Sequence, residues 1–122
     1  MTRPSRTDER PDRGEVWLIR FDPIEGAEID KTRPAVVVSP SSIGRLPLRI
    51  VVPITRWQEK FATIPWFVHL KKTRKNGLDY ESAADCFQVK SVAITRFVSR
   101  LGVVGAEEVE EISAAITLCV GA

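Results

Sequence analysis

A cation and a proline stand directly before a strongly apolar run in Lys31-Thr32-Arg33-Pro34-Ala35-Val36-Val37-Val38-Ser39-Pro40, and this segment does most to fix the fold. The β-branched run Ala35 to Ser39 reads as a strand. A proline ring disfavours helical geometry in the residue before it, so Arg33 is extended and its side chain projects from the mouth of the sheet. Held in that way, its planar fork of N–H donors is a natural phosphate ligand. A second apolar run, Arg49-Ile50-Val51-Val52-Pro53-Ile54-Thr55, follows a Pro-Ser-Ser-Ile-Gly connection, and the two runs predict an antiparallel hairpin. If the hairpin is centred near Gly44, facing residues have numbers that sum to about 88, which sets Arg33 opposite Thr55. Pro53 cannot donate a ladder hydrogen bond, so the strand is bulged or at an edge there.

The rest of the chain completes a small β-rich domain. Glu15-Val16-Trp17-Leu18-Ile19-Arg20-Phe21 reads as a first strand stopped by Asp22-Pro23. Residues Ile24 to Thr32 form a loop long enough to be functional. Ile64 to Leu70 alternates as a fourth strand, and the cationic turn Lys71-Lys72-Thr73-Arg74-Lys75-Asn76-Gly77 follows it. Ser82 to Val92 reads as central sheet, and Arg96 to Val104 as a last strand. From Ala106 to Val120, Val109, Ile112, Ile116 and Cys119 or Val120 recur at helical spacing. Glu107, Glu108, Glu110 and Glu111 occupy the first turns, where the helix dipole favours anions. About five to seven short strands with one amphipathic C-terminal helix imply a mainly β, strongly bent sheet or barrel.

With 122 residues the chain is expected to form one domain over residues 14–122, and the charged, proline-bearing residues 1–13 are read as a disordered tail. The tail has no apolar core, so it is neither a secretory signal nor a membrane span. A formal net charge of +2 is too small to argue for nucleic-acid binding, which would need a local patch. Cys86 and Cys119 stand far apart, without a CxxC pair or a nearby histidine. That argues against a zinc site or a disulfide scaffold and fits a reducing cytoplasm.

Gly14-Glu15-Val16-Trp17, Phe21-Asp22-Pro23, Gly26-Ala27-Glu28, Thr32-Arg33-Pro34-Ala35-Val36-Val37-Val38-Ser39-Pro40, Val52-Pro53-Ile54-Thr55 and Gln88-Val89-Lys90-Ser91 together resemble the MazF/PemK family of toxin endoribonucleases, in the family's order. The resemblance implies an SH3-like small β-barrel of the kind shared by CcdB, MazF and Kid. It further implies a homodimer that cuts single-stranded RNA (mRNA, with rRNA and tRNA as other candidates) at short sequences, with no metal or other cofactor. A cognate antitoxin would hold it inactive, with a disordered segment laid over the positive cleft. Carried over by position, Arg33 and Thr55 correspond to the family's catalytic pair.

RNA supplies its own nucleophile, the ribose 2′-hydroxyl, so the enzyme need only orient it, stabilise phosphoryl charge and move protons. Arg33 suits the electrostatic role better than an acid's, since its pKa lies above ~12. Thr55 can donate to a phosphoryl oxygen or orient the 2′-hydroxyl. Family members often carry an acid just before the glutamine of the Gln88 motif, whereas this chain has Phe87. Asp85, two residues earlier and on the same strand face, and Glu28 are the candidate bases. For base recognition by stacking and hydrogen bonding the candidates are Trp57, Gln88, Lys90, Ser91 and Glu28, with Lys31 on the RNA backbone.

Plainer readings stand beside these. Trp57 can equally be packed against the barrel, and Gln88, Lys90 and Ser91 can form a solvated strand face. Lys71, Lys72, Arg74 and Lys75 form the densest positive cluster, read first as a solvated hairpin tip and second as an RNA contact. His69, the only histidine, is read as structural, and Trp17, Phe21 and Trp66 as core. Two other functions share the fold. One is a CcdB-like topoisomerase poison, which would need a Trp-Gly-Ile C-terminus where this chain ends Cys119-Val120-Gly121-Ala122. The other is a non-catalytic RNA-binding barrel.

Overall fold

The computed structural model describes residues 10–21 and 31–122. Seven strands form one sheet: β1 (Glu15–Phe21), β2 (Lys31–Val37), β3 (Leu48–Arg56), β4 (Phe67–Leu70), β5 (Ser82–Asp85), β6 (Lys90–Ala93) and β7 (Phe97–Val103). Among the described residues there is one α-helix, α1 (Ala106–Cys119), which follows β7. The order across the sheet is β4-β5-β3-β2-β1-β7, with β6 also paired to β3. All pairs are antiparallel. No ladder joins β4 to β7 among the described residues, so the sheet is curled like a barrel without closing on itself.

The hairpin register is the expected one: Ala35↔Pro53, Val36↔Val52 and Val37↔Val51 each sum to 88. The loop between β2 and β3 holds a 3-10 turn at Ser41–Ile43, and Gly44 leaves it at φ 70. β2 starts earlier than expected, because Thr32, Arg33 and Pro34 pair with Arg20, Ile19 and Leu18 of β1. Arg33 is therefore a strand residue, not the end of a loop.

Pro53 leaves its mark on the opposite edge of β3. The ladder to β6 stops at Val51, and the ladder to β5 starts at Ile54. The missing N–H falls in the gap, and the chain between β5 and β6 fills it with a 3-10 turn, Cys86–Gln88, packed beside β3. The continuous strand expected over Ser82 to Val92 is thus two strands broken by a turn.

Strand alternation separates two cores. Val16, Val36, Val52, Ile54, Val68, Leu70 and Ala84 face α1, whose Val109, Ile112 and Ala115 are buried against them. Trp17, Ile19, Ala35, Val37, Val51 and Val92 form a smaller core on the other face. Trp66 packs partly buried against the larger core and Trp17 lies inside the smaller, as expected. The helix stripe is Val109, Ile112, Ala115 and Ile116, and Val120 is left exposed. In its first turn Glu108 reaches back to accept the Gly105 N–H at 2.9 Å. Both cysteines are free, and burial pushes the Cys86 thiol up to about 12.

The segment just before Gly14 makes contacts with the sheet, the β2–β3 loop and the helix. Pro11 is buried, Asp12 accepts a 2.6 Å bond from Ser41 Oγ, and Arg13 donates to the Val38 carbonyl and to Ser113 Oγ. Two backbone approaches also lock the chain after β4 onto β7. A Cβ on Gly77 (φ +69) would lie 2.2 Å from the Leu101 carbonyl oxygen, and one on Gly102 would lie 2.1 Å from that of Lys75. Only glycine fits either position.

Candidate active site on the smaller sheet face

The smaller core occupies the face of odd-numbered residues on β1, β2 and β3. Arg33 continues the row Val37, Ala35, and Thr55 continues the row Val51, Pro53. Both residues therefore reach the same end of the same face, one pleat repeat beyond the last ladder pair, Ala35↔Pro53. Arg33 is exposed and Thr55 half-buried. No hydrogen bond or salt bridge of the Arg33 guanidinium occurs among the described residues. Among the described residues the arrangement is a sheet end carrying one cation without a polar partner and one hydroxyl.

Lys90 belongs to this face, since it pairs with Val51. Its ammonium lies 5.0 Å from the Phe21 ring centroid, although β2 and β3 separate the two strands in sheet order. The curl of the sheet brings them together. Phe21, read from sequence as core, is half-buried, with its ring at the site. Lys31 pairs with Phe21 and so occupies the neighbouring register position.

Asp85 is set by β5. Thr55 faces Ala83, so Asp85, two residues on, is its diagonal neighbour on the same face, about 7–8 Å away in such a ladder. Its carboxylate is already engaged: Oδ1 accepts the Phe87 N–H at 3.3 Å, and Oδ2 accepts Gln88 Nε2 at 3.0 Å. The expectation that Phe87 shares a strand face with Asp85 fails, because Phe87 lies in the 3-10 turn that Asp85 caps. Phe87 instead packs edge-on against Trp66. For the same reason Gln88 is not on one strand with Lys90. Ser91 pairs with Ile50 and so faces the other way from Lys90. Glu28 lies outside the described residues.

Trp57 is seated. Its indole stacks on the His69 ring with centroids 4.2 Å apart at 14°, and it meets Phe61 edge-on. His69 is exposed, and its Nε2 shares a 2.9 Å hydrogen bond with Glu81 Oε1. Glu81 Oε2 also accepts the Lys72 N–H at 2.9 Å, and this bond, then the one to His69, holds its carboxyl below the usual range. The His69–Glu81 pair is a surface prop, consistent with the structural reading of His69.

Sequence reasoning missed Arg49. It is buried at the other end of the smaller core, where its guanidinium donates to the carbonyls of Pro11 (2.7 Å), Leu46 (2.8 Å) and Leu48 (2.8 Å). Burial, and then the charge of Arg10, push its pKa down. Its only sequence signal is strand alternation, which puts position 49 on the inward face with Val51. Among the described residues no group of three or more His, Cys, Asp or Glu could hold a metal, and no helix is long and apolar enough to cross a membrane.

The family model for the PemK-like, MazF-like toxin of type II toxin-antitoxin systems matches residues 12–120. The endoribonuclease MazF9 of Mycobacterium tuberculosis is 32% identical over 112 residues, covering 87% of this chain and 92% of the relative. The endoribonuclease toxin MazF of Escherichia coli K12 is 34% identical over 113 residues, covering 91% and 95%. Among solved structures, MazE-MazF from Deinococcus radiodurans superposes with a TM-score of 0.76 at 24% identity over 93% of this chain and 98% of that one. A mycobacterial endoribonuclease in complex with its cognate antitoxin gives 0.70 at 18% identity over 91% and 95%.

Proposed function

Since the chain belongs to the PemK-like, MazF-like toxins of type II toxin-antitoxin systems, we propose that it is a cytoplasmic endoribonuclease toxin cutting single-stranded RNA, mRNA foremost, at short sequences without a metal. The observation that carries this reading is the convergence of Arg33 and Thr55 on one end of one sheet face, with no hydrogen bond or salt bridge of the guanidinium among the described residues. In the reaction the ribose 2′-oxygen bonds to the adjacent phosphorus and the bond from phosphorus to the 5′-oxygen breaks. The 2′-hydroxyl loses its proton and the leaving 5′-oxygen gains one, giving a 2′,3′-cyclic phosphate and a free 5′-hydroxyl.

Arg33 clamps the phosphate and stabilises the charge that builds on its oxygens. Thr55 donates its hydroxyl hydrogen to a phosphoryl oxygen and fixes the line of attack. Asp85 holds the Gln88 amide in place for base recognition and, like Glu81, lies one pleat repeat from the Thr55–Ala83 pair. Lys90 and Lys31 meet the RNA backbone beside Phe21. Trp57 offers the ring face not covered by His69.

The toxin acts as a homodimer, for which the exposed apolar stretch Leu46, Leu48 and Ile50 supplies an assembly surface. The partner that silences it is a cognate antitoxin whose disordered segment covers the Arg33 end of the sheet.

The test incubates purified protein with RNA in excess chelator and identifies the product ends. Cleavage leaving a 2′,3′-cyclic phosphate, abolished in Arg33→Ala, is the expected result. Loss of cleavage in chelator overturns the metal-free mechanism. Absence of cleavage on every RNA tried would favour a topoisomerase-poison or binding-only barrel.

A further inference from the structure

The loop that follows β4 carries Lys71, Lys72, Arg74 and Lys75, and the fold makes it something other than a solvated hairpin tip. Asn76, 1% exposed, ties it from within. Its Oδ1 accepts the N–H groups of Thr73 (3.1 Å) and Leu78 (3.0 Å), its Nδ2 donates to the Lys71 carbonyl (2.8 Å), and its own N–H donates to Thr73 Oγ1 (3.0 Å). From outside, Val103 donates to the Lys75 carbonyl at 2.9 Å, and Glu81 holds the Lys72 N–H. The cations are therefore presented on a fixed backbone. None of the four forms a salt bridge among the described residues.

Register relates this loop to Thr55. Thr55, Ala83 and His69 form one row across β3, β5 and β4 on a single face. One repeat further along are Trp57, stacked on His69, then Glu81 and Lys71. With strands ~4.8 Å apart and ~3.3 Å of rise per residue, Lys71 starts on the order of 12 Å from Thr55. A polynucleotide cut at Thr55 that continues past the Trp57–His69 stack runs onto the cations. On the other face of this rim the Arg56 guanidinium lies over the Tyr80 ring at 4.0 Å, adding a further cationic, stacking surface.

We propose that residues 71–75 form an accessory RNA-backbone site, which engages the strand a few nucleotides from the scissile phosphate and favours long over minimal substrates. This rests on the endoribonuclease reading above. The partner is polynucleotide rather than acidic peptide because the loop exposes charge without aliphatic anchors. Its one aliphatic side chain, Leu78, is buried, whereas single-strand binding combines a cationic track with aromatic steps over roughly 4–16 nucleotides.

The test uses K71Q/K72Q/R74Q/K75Q and the charge-keeping K71R/K72R/R74K/K75R. The substrates are an RNA trimmed to the mapped cleavage sequence and one extended by about a site's length on each side. For the Gln variant we expect kcat/KM on the extended RNA to fall about tenfold or more through KM, with the trimmed RNA cut as by wild type and the charge-keeping variant restored. Binding of the extended strand made uncleavable by a 2′-deoxy substitution should lose about 0.7 from its salt slope for each phosphate contact removed.

An unchanged slope overturns the proposal whether or not the protein cleaves RNA, and failure of wild type to cleave any RNA overturns the endoribonuclease reading separately. Equal loss on both substrates also counts against the loop as an accessory site. So does an RNA affinity that persists while affinity for polyglutamate is lost, which would make the loop a protein-docking surface.

Discussion

Arg33 and Arg49 lie on the same face of the sheet, at opposite ends of the smaller core, and among the described residues only Arg49 is engaged. Arg49 stands near the start of β3, about 20 Å along the strand from Thr55, with Pro11, Leu46 and Leu48 each offering it a carbonyl. At the other end Arg33 projects with no such partner among the described residues. The two guanidiniums are chemically identical, so their surroundings decide what each does. A cation ringed by fixed carbonyls stitches the segment before β1 and the β2–β3 loop onto the core. The same cation at a strand end is the one proposed to clamp the scissile phosphate.

The contrast would break first at Arg33. Arg33→Ala should lower the cleavage rate by about a thousandfold with thermal stability unchanged, and Arg33→Lys should recover little, because an ammonium cannot reproduce the fork. Cleavage assays paired with melting curves decide this, and a large loss of stability would show that Arg33, too, is structural. Arg49→Ala should do the reverse. Denaturant unfolding should show about 3 kcal/mol lost, since the buried Pro11 carbonyl and the part-buried carbonyls of Leu46 and Leu48 lose their donor, while the fraction that stays folded cleaves normally. Thr55→Val should cost about a hundredfold in rate, and Thr55→Ser should regain most of it if the hydroxyl is what matters.

The smallest expected effect is acid sensitivity, which differs between the two ends. Asp12, near Arg49, has its carboxyl held below the usual range by the Ser41 hydroxyl and then the Arg13 N–H. Glu81, near the cationic loop, is lowered by the Lys72 N–H and then by His69. A carboxyl whose pKa is lower folded than unfolded stabilises fully above the unfolded value, about 4, and loses that contribution as pH falls through the folded value. Melting temperature should therefore hold from about pH 7 to 5 and drop below about 4. Asp12→Asn and Glu81→Gln should each flatten part of that drop, and a drop left intact in both would assign the acid limb to other groups.

Much of the hairpin was legible in the chain itself. The proline at 34, the β-branched run after it and the glycine at 44 set a register that the ladder reproduces. Pro53 signalled an interruption, but its form depended on β5 and β6, which lie far along the chain. The break at Cys86–Gln88 was hidden because Ala83, Ala84, Cys86 and Val89 read as one apolar run, and only the gap opposite Pro53 calls for a turn there. Arg49 escaped because a cation in a strand looks solvent-facing until its carbonyl partners, contributed partly by Pro11, are brought to it. That Arg33 and Thr55 fall at one end of one face was visible because both sit on the one hairpin whose register short-range signals specify, although the ladder stops one pleat repeat short of them, at Ala35↔Pro53.

The paired glycines at 77 and 102 have a consequence for how this protein can vary. Each occupies a slot where the other segment's backbone leaves no room for a Cβ. Insertion, deletion or side-chain gain at either point forces two stretches apart at once. Residues 71, 72, 74 and 75, all exposed, meet no such obstacle. Saturation mutagenesis should divide this corner into two populations, with substitutions at 77 and 102 lost to misfolding and those at the four cationic positions recovered as soluble protein. Selection can therefore rewrite the charge of the loop in single steps while its path stays fixed.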